Sequence, residues 1–76
     1  AGASRWQYVD ERGGWKRYDS MVQAQIEAAF QRYLASQGQR LVRVRFPGRP
    51  EEYEVNFALG TQRNLVHGTE RPVRRV

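Results

Sequence analysis

Arginine and aromatic side chains are the two largest groups of residues in this chain that could bind a ligand. The 76 residues include thirteen basic side chains, of which Lys16 alone is a lysine, and eight acidic ones, for a net charge of +5. A guanidinium grips a phosphate or carboxylate with two parallel hydrogen bonds and stacks on flat rings. Two Trp, four Tyr and three Phe supply such rings. These totals favour an anionic, aromatic ligand, although a generally arginine-rich composition would give the same totals.

Catalytic and metal-binding patterns are missing from the sequence. His67 is the only histidine, and its neighbour Gly68 places it in a predicted exposed turn. No nucleophile, base and orienting group are spaced as a triad requires. Gly13-Gly14 lacks the buried strand pattern before it and the helix after it that glycine-rich phosphate loops need. The chain has no cysteine for a cysteine-type zinc site. We therefore predict a binding module rather than an enzyme, with no cofactor and no metal.

Length and composition predict one domain over residues 1–76, with residues 1–4 as a linker. The sequence holds no run of the ~20 apolar residues that a membrane span needs, so we expect no membrane partner. Small secreted domains usually rely on disulfides, which this chain cannot form. An intracellular location, cytoplasmic or nuclear, is expected.

The elements that must position any site begin with a hairpin and a helix. Residues 5–10 and 15–18 alternate large and small side chains, which predicts two strands joined by a Gly-Gly turn. Asp19 and Ser20 are both suitable helix caps, and Ser20 has Gln23 at the capping-box spacing. Apolar residues at helical spacing then predict one amphipathic helix ending near Ser36.

The second half of the chain predicts four more strands. Residues 40–46 and 51–57 alternate apolar and charged side chains around a Pro-Gly-Arg-Pro turn. Their pairing sets Val44 opposite Tyr53 and each arginine of the first strand opposite a glutamate of the second. Residues 61–66 and 70–75 follow, and Pro72 suggests that the last strand lies at a sheet edge. The predicted fold class is α+β, a curved antiparallel sheet (a half-barrel of about six strands) packed on one α-helix.

This pairing changes where the free positive charge is expected. Arg43 and Arg45 face Glu54 and Glu52, so that hairpin neutralises itself. The basic residues without an expected partner lie near the C-terminal end, where Glu70 is the only acid. They are Arg63, Arg71, Arg74 and Arg75.

The order of several residues along the chain resembles the WWE domain family. Trp6, the Gly-Gly turn and Trp15 match the first half of that pattern, and the glutamate of the family's name corresponds to Glu27. The second half matches in the alternating Tyr-x-Val-x-Phe of residues 53–57 and in residues 71–75. The resemblance extends from Trp6 to Arg75 and implies the same half-barrel on one helix. It implies that Trp6 anchors the core. Glu27 holds a backbone or tryptophan N–H, or else is an exposed helix residue.

The resemblance also implies a function and a set of ligand residues. Many WWE domains bind poly(ADP-ribose), through its internal iso-ADP-ribose unit or a terminal ADP-ribose, and they occur in ubiquitin ligases and ADP-ribosyltransferases. The family's ligand residues correspond to Tyr8, Tyr53, Gln62 and Arg71. The first loop is one residue longer here, so either Arg12 or Glu11 takes the place of a phosphate-binding basic residue. Two further candidates are Trp15, which packs on the helix or borders the ligand, and Arg74 (or Arg75), which substitutes for a basic residue beyond the last strand.

Two other functions compete with ADP-ribose binding. Tyr8 and Tyr53 share strand faces with apolar residues, so they could be core residues of a protein–protein interaction module that has no nucleotide ligand. Such a module would act beside other domains of a ligase or transferase. General nucleic-acid binding through arginines is less expected, because the aromatic motifs of RNA-binding modules are missing.

Overall fold

The computed structural model describes residues 5–76, so the linker predicted at residues 1–4 lies outside the described residues. In the described part of the chain, one six-stranded antiparallel sheet packs against one helix, which confirms the predicted α+β class. No helix within residues 5–76 has the length and apolar character that crossing a membrane requires. The elements are β1 (Trp6–Val9), β2 (Trp15–Arg17), α1 (Ser20–Leu34), β3 (Leu41–Arg45), β4 (Glu52–Asn56), β5 (Thr61–Asn64) and β6 (Glu70–Arg75).

The strands lie in the order β2-β1-β6-β5-β4-β3, so the first and last strands of the chain pair with each other. Neighbouring strands run in opposite directions throughout. The turns at residues 10–14, 46–51 and 65–69 therefore all lie at one end of the sheet, here called the turn end. The turn at residues 57–60 and the connections to α1 lie at the opposite end, here called the helix end.

The core lies between α1 and the inner face of the sheet. Trp6 is only 5% exposed, as the sequence predicts for a core anchor. Its ring lies 5.0 Å from that of Phe30 on the helix and 5.6 Å from that of Phe57. Buried aromatic rings of this size contribute much of the apolar area that a small domain can remove from water. The other buried apolar residues are Tyr18, Val22, Ile26, Val44, Val55 and Val73.

The helix begins at a cap that differs in part from the prediction. Asp19 is the N-cap, and its carboxylate accepts a hydrogen bond from the Val22 amide at 2.9 Å. The capping box expected between Ser20 and Gln23 does not form. Gln23 instead accepts from the Trp6 amide at 2.6 Å and donates to the Trp6 carbonyl at 2.7 Å. This side chain therefore fastens α1 to the start of β1.

The β3–β4 hairpin has the predicted register, with Val44 opposite Tyr53, Arg43 opposite Glu54 and Arg45 opposite Glu52. The two ion pairs are long, at 4.0 Å and 3.9 Å between Nε and Oε2, and their arginines are well exposed. Exposed pairs of this kind contribute about 0–1 kcal/mol each. Their main effect is to leave this outer face close to neutral.

The position predicted for the last strand is wrong. β6 lies in the middle of the sheet, between β1 and β5, rather than at an edge. Pro72 is accommodated because it pairs with Thr61 of β5, while the pairing with β1 starts only at the next residue, Val73. The proline therefore lies just beyond the last pair of the β1–β6 ladder, so its missing N–H removes no hydrogen bond from the pairs that form this ladder.

Candidate functional site

An open cavity of about 740 Å³ lies at the turn end of the sheet. Five of the six strands contribute residues to its wall, and so do the three turns at this end, which surround its mouth. Four cationic and two acidic side chains line it, so the wall has a formal charge of +2 with the histidine neutral. The lining residues are Tyr8, Asp10, Glu11, Arg12, Lys16, Phe46, Arg49, Tyr53, Gln62, Asn64, His67, Thr69 and Arg71.

The four residues that the family resemblance marks as ligand-binding meet in this cavity. Tyr8 comes from β1, Tyr53 from β4, Gln62 from β5 and Arg71 from β6. Strand register explains the meeting, because Gln62 lies directly opposite Arg71 on the inner face of the sheet. Both candidates for the longer first loop, Arg12 and Glu11, also line the cavity.

Aromatic rings form one wall of the cavity. Phe46 lies between the two tyrosines, with ring centroids 5.5 Å from Tyr8 and 4.6 Å from Tyr53. Both tyrosines are half-buried and also pack against the core. The two interpretations of these tyrosines, core residue and cavity residue, therefore both hold. Phe46 was not among the predicted site residues, although its position two residues beyond Val44 places it on the same face.

Gln62 is 4% exposed, and a single hydrogen bond sets the orientation of its amide. The hydroxyl of Tyr18 donates to Gln62 Oε1 at 2.5 Å. Burial raises the pKa of Tyr18, so this hydroxyl keeps its proton and acts as a donor. No buried side-chain nitrogen or oxygen in residues 5–76 lacks a partner. No hydrogen bond from the Gln62 NH2 group to another described residue is found, so this group is not one of the fully buried atoms. It is therefore open to the cavity that Gln62 lines and can donate to a ligand there.

Asp10 organises the first turn beside the cavity. Its Oδ1 accepts from the amides of Arg12 at 3.0 Å and Gly14 at 2.9 Å. The Gly14 amide is the main cause of the lowered pKa of this carboxyl. Gly13 completes the turn with a φ of 82°, a conformation that side chains disfavour. Arg71 Nη1 donates to the Asp10 carbonyl at 3.2 Å, which ties β6 to this turn.

Several lining residues were missed by sequence reasoning. Lys16 follows from the register, since it lies opposite Tyr8 and shares its face. Arg49, His67 and Thr69 follow only once the three turns are known to lie at the same end of the sheet. His67 is exposed in a turn, as predicted. Asn64 shapes that turn by accepting from the amides of Val66 and His67.

Trp15 and Arg74 lie away from the cavity, on the outer face of the sheet. Strand alternation places them there, and the Arg74 guanidinium carbon lies 4.0 Å from the centre of the Trp15 ring. Trp15 is 41% exposed. The prediction that it packs on the helix is wrong, because α1 covers the inner face. The structure therefore does not bring these two predicted ligand residues together with the other five.

Glu27 holds the helix end of the sheet together. Its Oε1 accepts the indole N–H of Trp6 at 2.9 Å, which confirms one of its two predicted roles. Arg75 donates to both carboxylate oxygens, at 3.0 Å and 2.9 Å. These bonds, led by the one from Arg75, lower the pKa of Glu27 to about 2. Arg75 is therefore not one of the partner-free arginines that the sequence predicted at this end of the chain.

Comparison with known protein families supplies a match for this chain. A scan against protein families matches the WWE domain over residues 4–75, nearly the whole chain. A search of the curated proteins finds no match. Within residues 5–76, no group of three or more His, Asp or Glu side chains is placed to hold a metal ion.

Proposed function

The chain belongs to the WWE domain family, and on that premise we propose that its cavity binds poly(ADP-ribose), through the iso-ADP-ribose unit or a terminal ADP-ribose. WWE domains are interaction modules rather than catalysts. The proposal includes that this chain is not an enzyme, that it acts inside the cell, cytoplasmic or nuclear, and that it serves a ubiquitin ligase or ADP-ribosyltransferase.

One observation carries the proposal. Tyr8, Tyr53, Gln62 and Arg71 are far apart in the sequence, yet they line the same cavity. A module that bound only through its outer surface would not need this set on the inner face of the sheet.

Each of these residues suits part of an ADP-ribose ligand. A tyrosine ring stacks on adenine, and base stacking of this kind contributes roughly 1–3 kcal/mol per base. The Gln62 NH2 donates to a nitrogen of the adenine edge or to a ribose oxygen. Arg71 grips a phosphate with two charge-assisted hydrogen bonds, and the positive charge of the wall favours an anionic ligand.

Calorimetry with iso-ADP-ribose, ADP-ribose and ATP tests the proposal. We expect Arg71→Ala and Tyr53→Ala each to weaken binding by about tenfold or more, the effect of losing one charge-assisted hydrogen bond or one stacking contact. Arg63→Ala is the matched control, because Arg63 follows Gln62 on β5 but points to the outer face. Tighter binding of iso-ADP-ribose than of ADP-ribose would identify an internal-unit reader, and the reverse a terminal-unit reader.

A protein partner without a nucleotide is the second candidate. The observation in its favour is the exposed Trp15 stacked on Arg74, since Trp and Arg are enriched where proteins bind one another. Absence of heat with all three nucleotides would reject the first proposal and favour this one.

A further inference from the structure

Two cations of the cavity wall meet at one residue, Asp10. The Asp10 carbonyl accepts from Arg71 Nη1 at 3.2 Å, and its Oδ2 lies 3.5 Å from Lys16 Nζ. Lys16 comes from β2 and Arg71 from β6, the strands on either side of β1. The two cations therefore approach the same residue from the two sides of β1.

Lys16 faces the cavity because of the hairpin register. Its Cα lies opposite that of Tyr8, and residues opposite each other in an antiparallel pair share a face. Its chain neighbours Trp15 and Arg17 point to the outer face for the same reason. A shift of one residue in this short strand would turn Lys16 to the outer face and bring Trp15 or Arg17 to the cavity face in its place.

The ion pair with Asp10 leaves Lys16 available to a ligand. The Lys16 side chain is 62% exposed, and Asp10 already uses its other carboxylate oxygen to hold the turn. The pair is 3.5 Å long and its ammonium group is open to solvent, so this group can move from Asp10 to a phosphate at a small cost. Two strand spacings, about 10 Å, separate the backbones of β2 and β6, a gap that a lysine and an arginine can bridge around a phosphate group.

We propose that Lys16 and Arg71 form a clamp that holds one phosphate group of the ligand from both sides of β1. This inference rests on the proposed function for the identity of the ligand, but the clamp itself requires only a phosphate. It adds Lys16 to the binding residues and assigns to it the same phosphate as Arg71.

Two neighbouring residues on β2 give a matched test. Lys16→Gln and Arg17→Gln each remove one positive charge from adjacent positions, but on opposite faces of the sheet. We expect Lys16→Gln to weaken iso-ADP-ribose binding about tenfold by calorimetry, as the loss of a charge-assisted contact does. Arg17→Gln should change the affinity by less than about twofold. Equal losses in both variants would mean that only net charge matters and would overturn the clamp.

A double variant tests whether the two cations share one phosphate. If they do, the loss in Lys16→Gln/Arg71→Gln is smaller than the product of the two single losses, because the second removal acts on a phosphate that is already released. Losses that multiply fully would place the two residues on separate groups and would also overturn the clamp. Thermal unfolding of each variant checks that the fold is retained.

Inorganic pyrophosphate separates failure of the clamp from failure of the proposed function. If none of the nucleotides binds, NMR titration with pyrophosphate still follows the Lys16 Nζ and Arg71 Nε signals. Pyrophosphate should shift both signals in the wild type, and the shift of the Lys16 Nζ signal should be lost in Arg71→Gln. These results would support the clamp and reject only the ADP-ribose function. No shift at Lys16 would overturn the clamp.

Discussion

Two arginines on the same face of β6 differ in their hydrogen-bond partners, a carboxylate for one and a neutral carbonyl for the other. At the helix end, Arg75 makes two short bonds to the carboxylate of Glu27, which also accepts the Trp6 indole N–H. At the turn end, the hydrogen bond found for the Arg71 side chain goes to a neutral carbonyl, that of Asp10. One strand thus carries an arginine satisfied by the fold and another whose charge remains for a ligand.

The two tryptophans repeat this contrast between the faces of the sheet. Trp6 lies on the inner face among aromatic rings, whereas Trp15 lies on the outer face against the guanidinium of Arg74. The two arginines are the same residue type, and so are the two tryptophans, so the position of each residue in the sheet decides its role. The comparison teaches that arginine or tryptophan content alone does not locate the binding surface of this domain.

Replacing the tryptophans one at a time should give the largest difference. Trp6→Ala removes a buried ring and one of the hydrogen-bond donors to Glu27, and such truncations cost about 3–5 kcal/mol of unfolding free energy. A domain of this size has only about 4–11 kcal/mol in total. Trp15→Ala removes an exposed cation–π contact, which contributes about 0.5–1 kcal/mol. Urea unfolding followed by circular dichroism measures both losses.

Trp6→Phe keeps a ring in the core if Trp6→Ala does not fold. It loses the N–H bond to Glu27 and part of the apolar contact, so its stability should lie between those of the wild type and Trp6→Ala. A loss in Trp15→Ala as large as that in Trp6→Ala would contradict the assignment of the two tryptophans to different roles.

The two arginines should separate binding from stability. Arg71→Gln is expected to lower ligand affinity about 10- to 100-fold, the range for a lost hydrogen bond to a charged group, with the melting temperature nearly unchanged. Arg75→Gln should lower the melting temperature and leave the affinity nearly unchanged, because Arg75 bonds to Glu27 away from the cavity. Calorimetry measures the affinity of both variants and thermal unfolding measures their melting temperatures, so together they show whether each variant loses only the expected property. Loss of affinity in Arg75→Gln at temperatures where it is folded would break the comparison.

Local patterns predicted most of the sheet. The alternation in residues 40–46 and 51–57 is strong enough to fix the β3–β4 register, because a slip of one residue would place Arg43 and Arg45 in the core. The family resemblance then supplied the cavity tyrosines, Gln62 and Arg71. No pairing between the ends of the chain could be read from local pattern. Pro72 therefore suggested an edge position for β6, and Arg75 was expected to lack a partner.

The contacts that the sequence did not reveal also join residues far apart in the chain. Glu27 and Arg75 are 48 residues apart, and Tyr18 and Gln62 are 44 apart, so no local spacing relates them. Trp15 was assigned to the wrong face because the pattern of a three-residue strand does not show which face of the sheet an aromatic residue occupies. The Arg71 contact with Asp10 likewise requires that β1 and β6 be neighbours.

The smallest expected effect is a change in how stability depends on pH at the helix end. Glu27 has a folded pKa of about 2, against an ordinary value of 4.5, chiefly because Arg75 bonds to its charged form. A carboxyl with a lowered folded pKa stabilises the fold above its unfolded pKa, and this contribution disappears as the pH falls toward the folded value. The pair is partly exposed, which screens it and limits the size of the effect. We therefore expect the difference in unfolding free energy between wild type and Glu27→Gln to shrink between about pH 5 and pH 2.

Urea unfolding at several pH values across that window measures this difference. Glu11→Gln is the control, because it removes one carboxylate from an exposed turn at the other end of the sheet with the same change in net charge. If the difference between wild type and Glu27→Gln stays constant down to about pH 2, the bonds to Arg75 and Trp6 do not depend on the charge of Glu27. That result would mean that the charge of Arg75 stabilises the fold no more than the charge of Arg71 does. The difference between the two ends of β6 would then come from packing alone.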